Sequence, residues 1–259
     1  MVEFTAFRSR LLAASIGIAF SLFCFSRTNE VFPFIYWCGI ALVAVMEMMT
    51  MMKLKTFADI FLSLTIHFGT FLYFYNGGGY TYDFFSLLLI WHCVILFWGN
   101  DLNNTAVLLL SIFWITIPCY LCFYYTVQDY TFMVRFLCIV WFMDAGAYFS
   151  GHIFGRTPLL QAVSPKKTWE GSIGGSIVTL LVAHICSLFD SPHDWNTWMT
   201  IGLISVVFGQ LGDLFESFFK RVYGAKDSGV LLLGHGGLLD RYDSVFSSIV
   251  VLHLYLTFI

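Results

Sequence analysis

Charge is what this sequence has least of. Only 11% of its 259 residues are Asp, Glu, Lys or Arg, less than half the roughly 25% of an average soluble domain. So few charges cannot cover the surface of a water-soluble protein of this length. The 59% of residues that are hydrophobic also fall in long runs rather than alternating with polar ones. A soluble globule is excluded, and lipid is the main solvent. An excess of positive charge is missing too: 13 Lys and Arg against 16 Asp and Glu give a net charge of −3. That excludes a nucleic-acid binder working through bulk basic charge. A disulfide framework is not implied either. The seven cysteines (24, 38, 93, 119, 122, 138 and 186) all lie inside apolar runs, where a thiol is a small hydrophobe. Cys119 and Cys122 form a C-x-x-C, but no second pair or nearby His completes a zinc site. No soluble domain, heptad array or low-complexity tail interrupts the pattern.

What is present is a series of apolar runs of membrane length. A spanning helix needs about 20 mostly apolar residues. The runs predict an all-α polytopic bundle of about nine transmembrane helices, at 9–26, 31–52, 57–75, 84–99, 105–126, 131–150, 171–189, 195–219 and 242–259. Arg8 and Arg10 precede the first run, but no small-residue cleavage site follows, so a retained first helix is expected. Lys and Arg near helix ends stay on the cytoplasmic side. Assigning alternate loops to alternate sides collects Arg8, Arg10, Lys53, Lys55, Arg156, Lys166, Lys167, Lys220, Arg221, Lys226 and Arg241 on one side. Only Arg27 falls on the other, with Arg135 just inside the sixth span. The N-terminus is therefore expected in the cytoplasm. The external connections are short, so the whole of 1–259 reads as a single transmembrane domain: spans over 1–130, and chemistry over 140–245 at the cytoplasmic face.

Two polar segments, 151–171 and 209–244, fall on that face. In the first, Ser164-Pro-Lys-Lys-Thr-Trp-Glu-Gly places Lys166 and Lys167 beside a helix start at Thr168 or Trp169. Two ammonium groups and the free N–H groups of a helix N-terminus suit a phosphate, although the positive-inside signal alone would also account for the lysines. In the second, Asp213, Glu216 and Lys220 are spaced i, i+3, i+7 and share one helix face. A carboxylate within a span costs on the order of 2.5–3.5 kcal/mol, so Asp213 and Glu216 must face a wet cavity, a metal or a basic partner. Further on, Gly234-His-Gly-Gly-Leu-Leu-Asp240-Arg241-Tyr-Asp243 combines a glycine-rich turn, suited to close backbone approach to an anion, with two acids at i, i+3. Asp144 in the sixth span should lie level with these acids. Carboxylates converging opposite a ring of Lys and Arg suggest a divalent cation with a polyphosphate, and oxygen ligands suit Mg²⁺ better than Zn²⁺. Gly171 and Gly175 form a G-x-x-x-G for close helix packing, either within the chain or in a homodimer. An ion-coupled transporter is the rival reading, since intramembrane acids occur there as well. Its sites lie near the midplane, however, usually between repeated halves that this sequence does not display.

The run Ser217-Phe-Phe-Lys220-Arg221-Val-Tyr-Gly-Ala-Lys226-Asp227, continuing to His235-Gly-Gly-Leu-Leu-Asp240-Arg241-Tyr-Asp243, closely resembles the C-terminal signature of the phosphatidate cytidylyltransferases (CDP-diacylglycerol synthases). Asp144-Ala-Gly-Ala-Tyr148 with Gly155-Arg, and Ser164-Pro-Lys-Lys-Thr-Trp-Glu-Gly with Gly174-Gly175, agree with it, so the motifs span roughly 140–245. Leu233, Tyr242 and His152 depart from the family's usual residues. The resemblance implies transfer of the cytidylyl group of CTP to phosphatidic acid, giving CDP-diacylglycerol and pyrophosphate for phospholipid synthesis. It implies a bacterial-type inner (plasma) membrane enzyme facing the cytoplasm, with membrane lipid and no nucleic acid as partner. It further implies metal ligation by Asp213 and Asp240, with Mg²⁺ and a second cation such as K⁺; for Asp144, level with them, the expected role is to hold a metal-bound water or orient substrate. Lys166, Lys167, Lys220, Arg221, Lys226 and Arg241, with Ser164, His235, Gly236 and Gly237, would contact the CTP triphosphate or the lipid phosphate. A nearer rival, a CTP-dependent lipid kinase, would transfer the γ-phosphoryl group instead.

Overall fold

The protein is an all-α polytopic membrane protein. Its structure, a computed structural model, describes residues 15, 17–27, 29–53, 57–77, 102–189, 192–229 and 236–258. Helix α1 covers 17–25, followed by α2 (Val31–Met51), α3 (Phe57–Tyr75), α4 (Leu102–Ser111), α5 (Ile117–Gln128) and α6 (Tyr130–Phe154). A two-stranded hairpin comes next, β1 (Pro158–Leu160) and β2 (Ser164–Thr168), and then α7 (Trp169–Leu188), α8 (Trp195–Ile204), α9 (Gln210–Val222) and α10 (Leu239–Phe258). Five described stretches are long and apolar enough to cross a membrane: Val31–Met51, Ala106–Gln128, Tyr130–Phe154, Trp169–Leu188 and Trp195–Val222. Helices α3 and α10 stand where the spans 57–75 and 242–259 were expected. The expected span 84–99 and the beginning of 9–26 (9–14, with 16) lie outside the described residues, and α1 stands in the rest of 9–26.

Two of the rods contain a π turn. Ile112–Thr116 joins α4 to α5 and Ser205–Gly209 joins α8 to α9. The first ends two residues before Pro118, which lacks an N–H and whose ring crowds the carbonyl four residues back. One wider turn absorbs both problems without breaking the rod.

The chain divides into two compact units, the described parts of Met1–Tyr130 with Asp227–Leu239, and Thr131–Lys226 with Asp240–Ile259. The first is held by aromatic packing and a few buried polar bonds. Phe34, Phe71 and Phe123 meet with ring centroids 5.4–6.0 Å apart. Trp37 Nε1 donates to Thr126 Oγ1 at 2.9 Å, and His67 links the Ser63 carbonyl to the Ser111 hydroxyl, each at 2.7 Å. Such interhelical bonds are of the order of 0.6–2 kcal/mol where lipid offers no alternative partner. Cys119 and Cys122 are buried free thiols in this packing.

The second unit packs through small residues. A methyl at Gly175 would stand 2.9 Å from the Met143 carbonyl oxygen and the Ala147 Cβ, and one at Gly171 would stand 2.8 Å from the Ala147 carbonyl. The G-x-x-x-G is therefore occupied by α6 of the same chain and gives no support to a homodimer. The opposite face of α7 presents Ile173, Ile177, Leu181, Ile185 and Leu188, all more than half exposed, an apolar ridge suited to contact with lipid. Arg135 donates to the Phe189 carbonyl at 2.9 Å, capping the negative end of α7. Asp194 opens α8 by accepting the Thr197 N–H at 2.8 Å and its hydroxyl at 2.6 Å. These bonds hold the Asp194 carboxyl below the usual carboxylate range.

Candidate active site

Most of the described polar side chains expected to do chemistry belong to the second unit, near the ends of its helices. The hairpin fixes the first group. Sequence analysis read 151–171 as a polar connection, whereas the structure pairs Pro158 with Thr168 and Leu160 with Ser164, antiparallel. The Thr168 hydroxyl accepts the Gly171 N–H at 3.1 Å, which starts α7 at the expected place. The Glu170 carboxylate accepts the N–H groups of Arg156 and Thr157 at about 3.1 Å, while the Trp169 N–H donates to the Thr157 carbonyl at 2.9 Å. The strand bearing Ser164, Lys166 and Lys167 is thus tied to the start of a spanning helix. Lys167 Nζ reaches Asp213 Oδ2 on α9 at 2.5 Å. Ser164 is half-buried and Lys166 is exposed.

On α9 the i, i+3, i+7 spacing does what it requires. Lys220 Nζ contacts Glu216 Oε2 at 2.6 Å and Asp240 Oδ1 of α10 at 2.6 Å. Glu216 is 1% exposed and its other oxygen, Oε1, has no hydrogen-bond partner among the described residues. Asp213, Glu216 and Asp243 bring one carboxylate oxygen each within 4.8 Å of one another. Asp243 is buried, with Oδ1 accepting its neighbour Ser244 N–H at 2.7 Å. Asp144 has Asp213, Lys167 and Arg241 as its charged neighbours. It remains accessible although protein atoms surround it, the combination expected of a group lining a crevice.

Five carboxylates (Asp144, Asp213, Glu216, Asp240, Asp243) thus meet three cations (Lys167, Lys220, Arg241). When all are ionised, two negative charges are left over. Three oxygens within 4.8 Å repel by about 3.5 kcal/mol per ionised pair at an effective dielectric of 20. A buried carboxylate oxygen without a donor adds a further desolvation cost. The donor set is all oxygen, which suits a hard divalent cation such as Mg²⁺. Sequence analysis paired Asp213 with Asp240 as metal ligands. In the structure Asp213 lies with Glu216 and Asp243, and Asp240 meets the same Lys220 ammonium as Glu216.

The remaining expected residues are placed as follows. Arg221 donates through Nε to the Val163 carbonyl at 3.2 Å and through Nη1 to the Ala225 carbonyl at 3.1 Å, so it ties the hairpin turn to the chain leaving α9. Lys226 and Arg241 are exposed. Gly236 has φ +83°, and Gly237 is buried. His235 and Leu233 lie outside the described residues. Tyr242 stacks on Phe246 with centroids 5.8 Å apart and meets Trp141 edge-on, so this departure from the family pattern serves packing. His152 stacks on Tyr148.

Residues 8–259 match the sequence model of the Cytidylyltransferase family. The chain belongs to that family. Among similar proteins is the phosphatidate cytidylyltransferase of Staphylococcus haemolyticus (strain JCSC1435), 42% identical over 157 residues, 59% of each chain. Proteins of the same name from Staphylococcus aureus (strain COL) and Staphylococcus epidermidis (strain ATCC 12228) are 47% identical over 120 residues and 46% over 121, in each case 46% of both chains. The matched stretch thus spans about half to three-fifths of these relatives.

Sequence analysis of this cytidylyltransferase-family chain missed one acid in the first unit, Glu47. It lies in the apolar run of α2 and is 8% exposed. Its Oε1 accepts the Leu238 N–H and its Oε2 the Leu239 N–H, both at 2.8 Å, and Ser228 Oγ donates to Oε2 at 3.3 Å. The signal was available: a carboxylate inside an expected span needs a partner as much as Asp213 does.

Proposed function

We propose that this chain transfers the cytidylyl group of CTP to phosphatidic acid, giving CDP-diacylglycerol and pyrophosphate, at the cytoplasmic face of a bacterial-type inner membrane. The observation that carries the reading is the cluster of five carboxylates and three cations, assembled from the segments that resemble the phosphatidate cytidylyltransferases. The name of the staphylococcal relatives agrees with it.

A phosphatidate oxygen attacks the α-phosphorus of CTP, and the bond from that phosphorus to the bridging oxygen of the β-phosphate breaks as pyrophosphate leaves. No protein nucleophile is needed, so the work of the side chains is alignment and charge neutralisation. Asp213, Glu216 and Asp243 would hold Mg²⁺, which when bound offsets phosphate charge. A charge excess of two among these side chains is met by one divalent cation, and a second cation such as K⁺ would offset part of the charge that the CTP and lipid phosphates add. Asp240 orients the Lys220 ammonium, and Lys167 is held ready by Asp213. The exposed Lys166, Lys226 and Arg241 are the cations best placed to meet the CTP and lipid phosphates, whereas Arg221 braces the hairpin. The acyl chains of the lipid stay in the bilayer and enter sideways between helices, while CTP arrives from water. A small headgroup reaction thereby calls for a membrane protein.

The test uses purified protein in detergent with phosphatidic acid, Mg²⁺ and CTP labelled at the α-phosphate, comparing wild type with Asp240→Ala. Label is expected in the lipid phase only with wild type and Mg²⁺. No transfer under conditions that support a staphylococcal relative, or lipid labelled only from the γ-phosphate, would overturn the reading.

A further inference from the structure

We propose that Glu47 is a positioning residue for the reaction: its buried carboxylate holds the main chain at Leu238 and Leu239 and so fixes where the helix bearing Asp240 and Asp243 begins. The inference deepens the proposed activity and its catalytic meaning rests on that reading.

A helix N-terminus leaves its first N–H groups without acceptors inside the helix, and a Ser, Thr, Asp or Asn just before it normally supplies one. Helix α10 starts at Leu239, and the residues before it are Gly236, Gly237 and Leu238, none of which has a side chain that can accept. The acceptor is instead the Glu47 carboxylate from α2, with one oxygen on each of the Leu238 and Leu239 N–H groups at 2.8 Å. Its negative charge also meets the positive end of the α10 dipole. The Ser228 hydroxyl on Oε2 brings in the other side of the same connection.

The surrounding sequence is cut to admit this carboxylate. A methyl at Gly229 would stand 2.6 Å from Glu47 Oε1, and one at Gly237 would collide with Glu47 Oε2 and Ser228 Oγ. The second glycine of the His-Gly-Gly signature therefore has a partner some 190 positions away. Packing alone does not call for an acid here, since the neighbours Met48 and Met49 are fully buried apolar side chains on the same helix. Burying a carboxylate is costly unless it is hydrogen-bonded, and among the described residues its donors all belong to the segment leading into Asp240.

The test combines amide hydrogen exchange with kinetics on the full-length protein in detergent, comparing wild type with Glu47→Gln. The amide keeps the shape but turns an NH₂ toward a donor, so one backbone N–H loses its acceptor. Exchange at Leu238 and Leu239 is expected to rise about tenfold or more. In the same variant kcat should fall roughly ten- to hundredfold, the range for a lost hydrogen bond to a charged group. KM for CTP should stay within about twofold, because only alignment in the transition state is lost. Gly237→Ala attacks the same contact from the other side and should reproduce both effects if Glu47→Gln does not fold. Unchanged exchange overturns the proposal, and so does faster exchange with wild-type kcat. If wild type shows the protected amides but transfers no cytidylyl group, the enzyme reading fails while the hold on the helix start stands.

Discussion

Replacing Glu216 by Gln separates two readings of the acid cluster, because they demand opposite signs. If Glu216 is only the ion-pair partner of Lys220, the substitution weakens a charge-assisted bond of about 1.5–3 kcal/mol, and the protein should melt earlier whether or not Mg²⁺ is present. If Glu216 also belongs to a cation site, its carboxylate stands within 4.8 Å of those of Asp213 and Asp243. Each such pair repels by about 3.5 kcal/mol when ionised at an effective dielectric of 20. Relief of two repulsions then outweighs the weakened bond, particularly since Lys220 keeps Asp240 at 2.6 Å.

Glu216→Gln is therefore expected to raise the unfolding midpoint in a chelator and to lower it relative to wild type in saturating Mg²⁺. The Mg²⁺ concentration that half-activates transfer should rise by at least about tenfold, the loss that even an outer-shell partner of a metal ligand causes. The assay is thermal unfolding in detergent with and without Mg²⁺, alongside transfer of α-labelled cytidylyl groups over a Mg²⁺ series. A lower midpoint in both conditions with an unshifted Mg²⁺ series would refute the cation-site reasoning.

Two further outcomes test the frame around the site. Gly175→Val drives a side chain against the Met143 carbonyl, a backbone atom that cannot rotate away. It should destabilise by about 1–3 kcal/mol or more, whereas Ile173→Ala on the exposed ridge should leave the thermal midpoint nearly unchanged. Asp194 has a carboxyl whose titration is depressed by Thr197, so it contributes stability above its unfolded-state pKa that is lost as pH falls through the folded one. Asp194→Ala should accordingly lower the midpoint at neutral pH, with the gap closing on acidification.

Local features were the ones legible in the sequence. The run 57–75 and helix α3 share their limits, and the Thr168 side chain that looked like a helix start caps one, because hydropathy and capping act within a few residues. The hairpin was not legible: Pro158–Leu160 and Ser164–Thr168 show no alternation of apolar and polar residues, and their pairing is enforced by Glu170 and Thr168 at the start of α7. The grouping of Asp213 with Glu216 and Asp243 depends on how α9 meets α10, which spacing along one helix cannot report. Glu47 is the extreme case, since its donors lie 181–192 residues downstream. Only the anomaly of an acid in an apolar run pointed to it.

The depth of the acids bears on the rival transporter reading. At 1.5 Å per residue, Asp144 lies about 15 Å from the C-terminal end of α6, Asp213 and Glu216 about 14 and 9 Å from the end of α9, and Asp243 about 6 Å from the start of α10, with Asp240 closer still. Glu216, Asp240 and Asp243 thus stand within about 9 Å of a helix end, whereas Asp144 stands about 15 Å from the end of α6, which at 25 residues is about 37 Å long. A transporter site has to be reached alternately from both sides and sits at the midplane. A transferase acting on a lipid phosphate needs the opposite: a site just under the headgroup level, shallow enough for a water-soluble nucleotide and deep enough that the lipid need not leave the bilayer. Glu216 and Asp243, about 9 and 6 Å from helix ends, with Asp240 closer still and Lys220 between Glu216 and Asp240, meet that requirement.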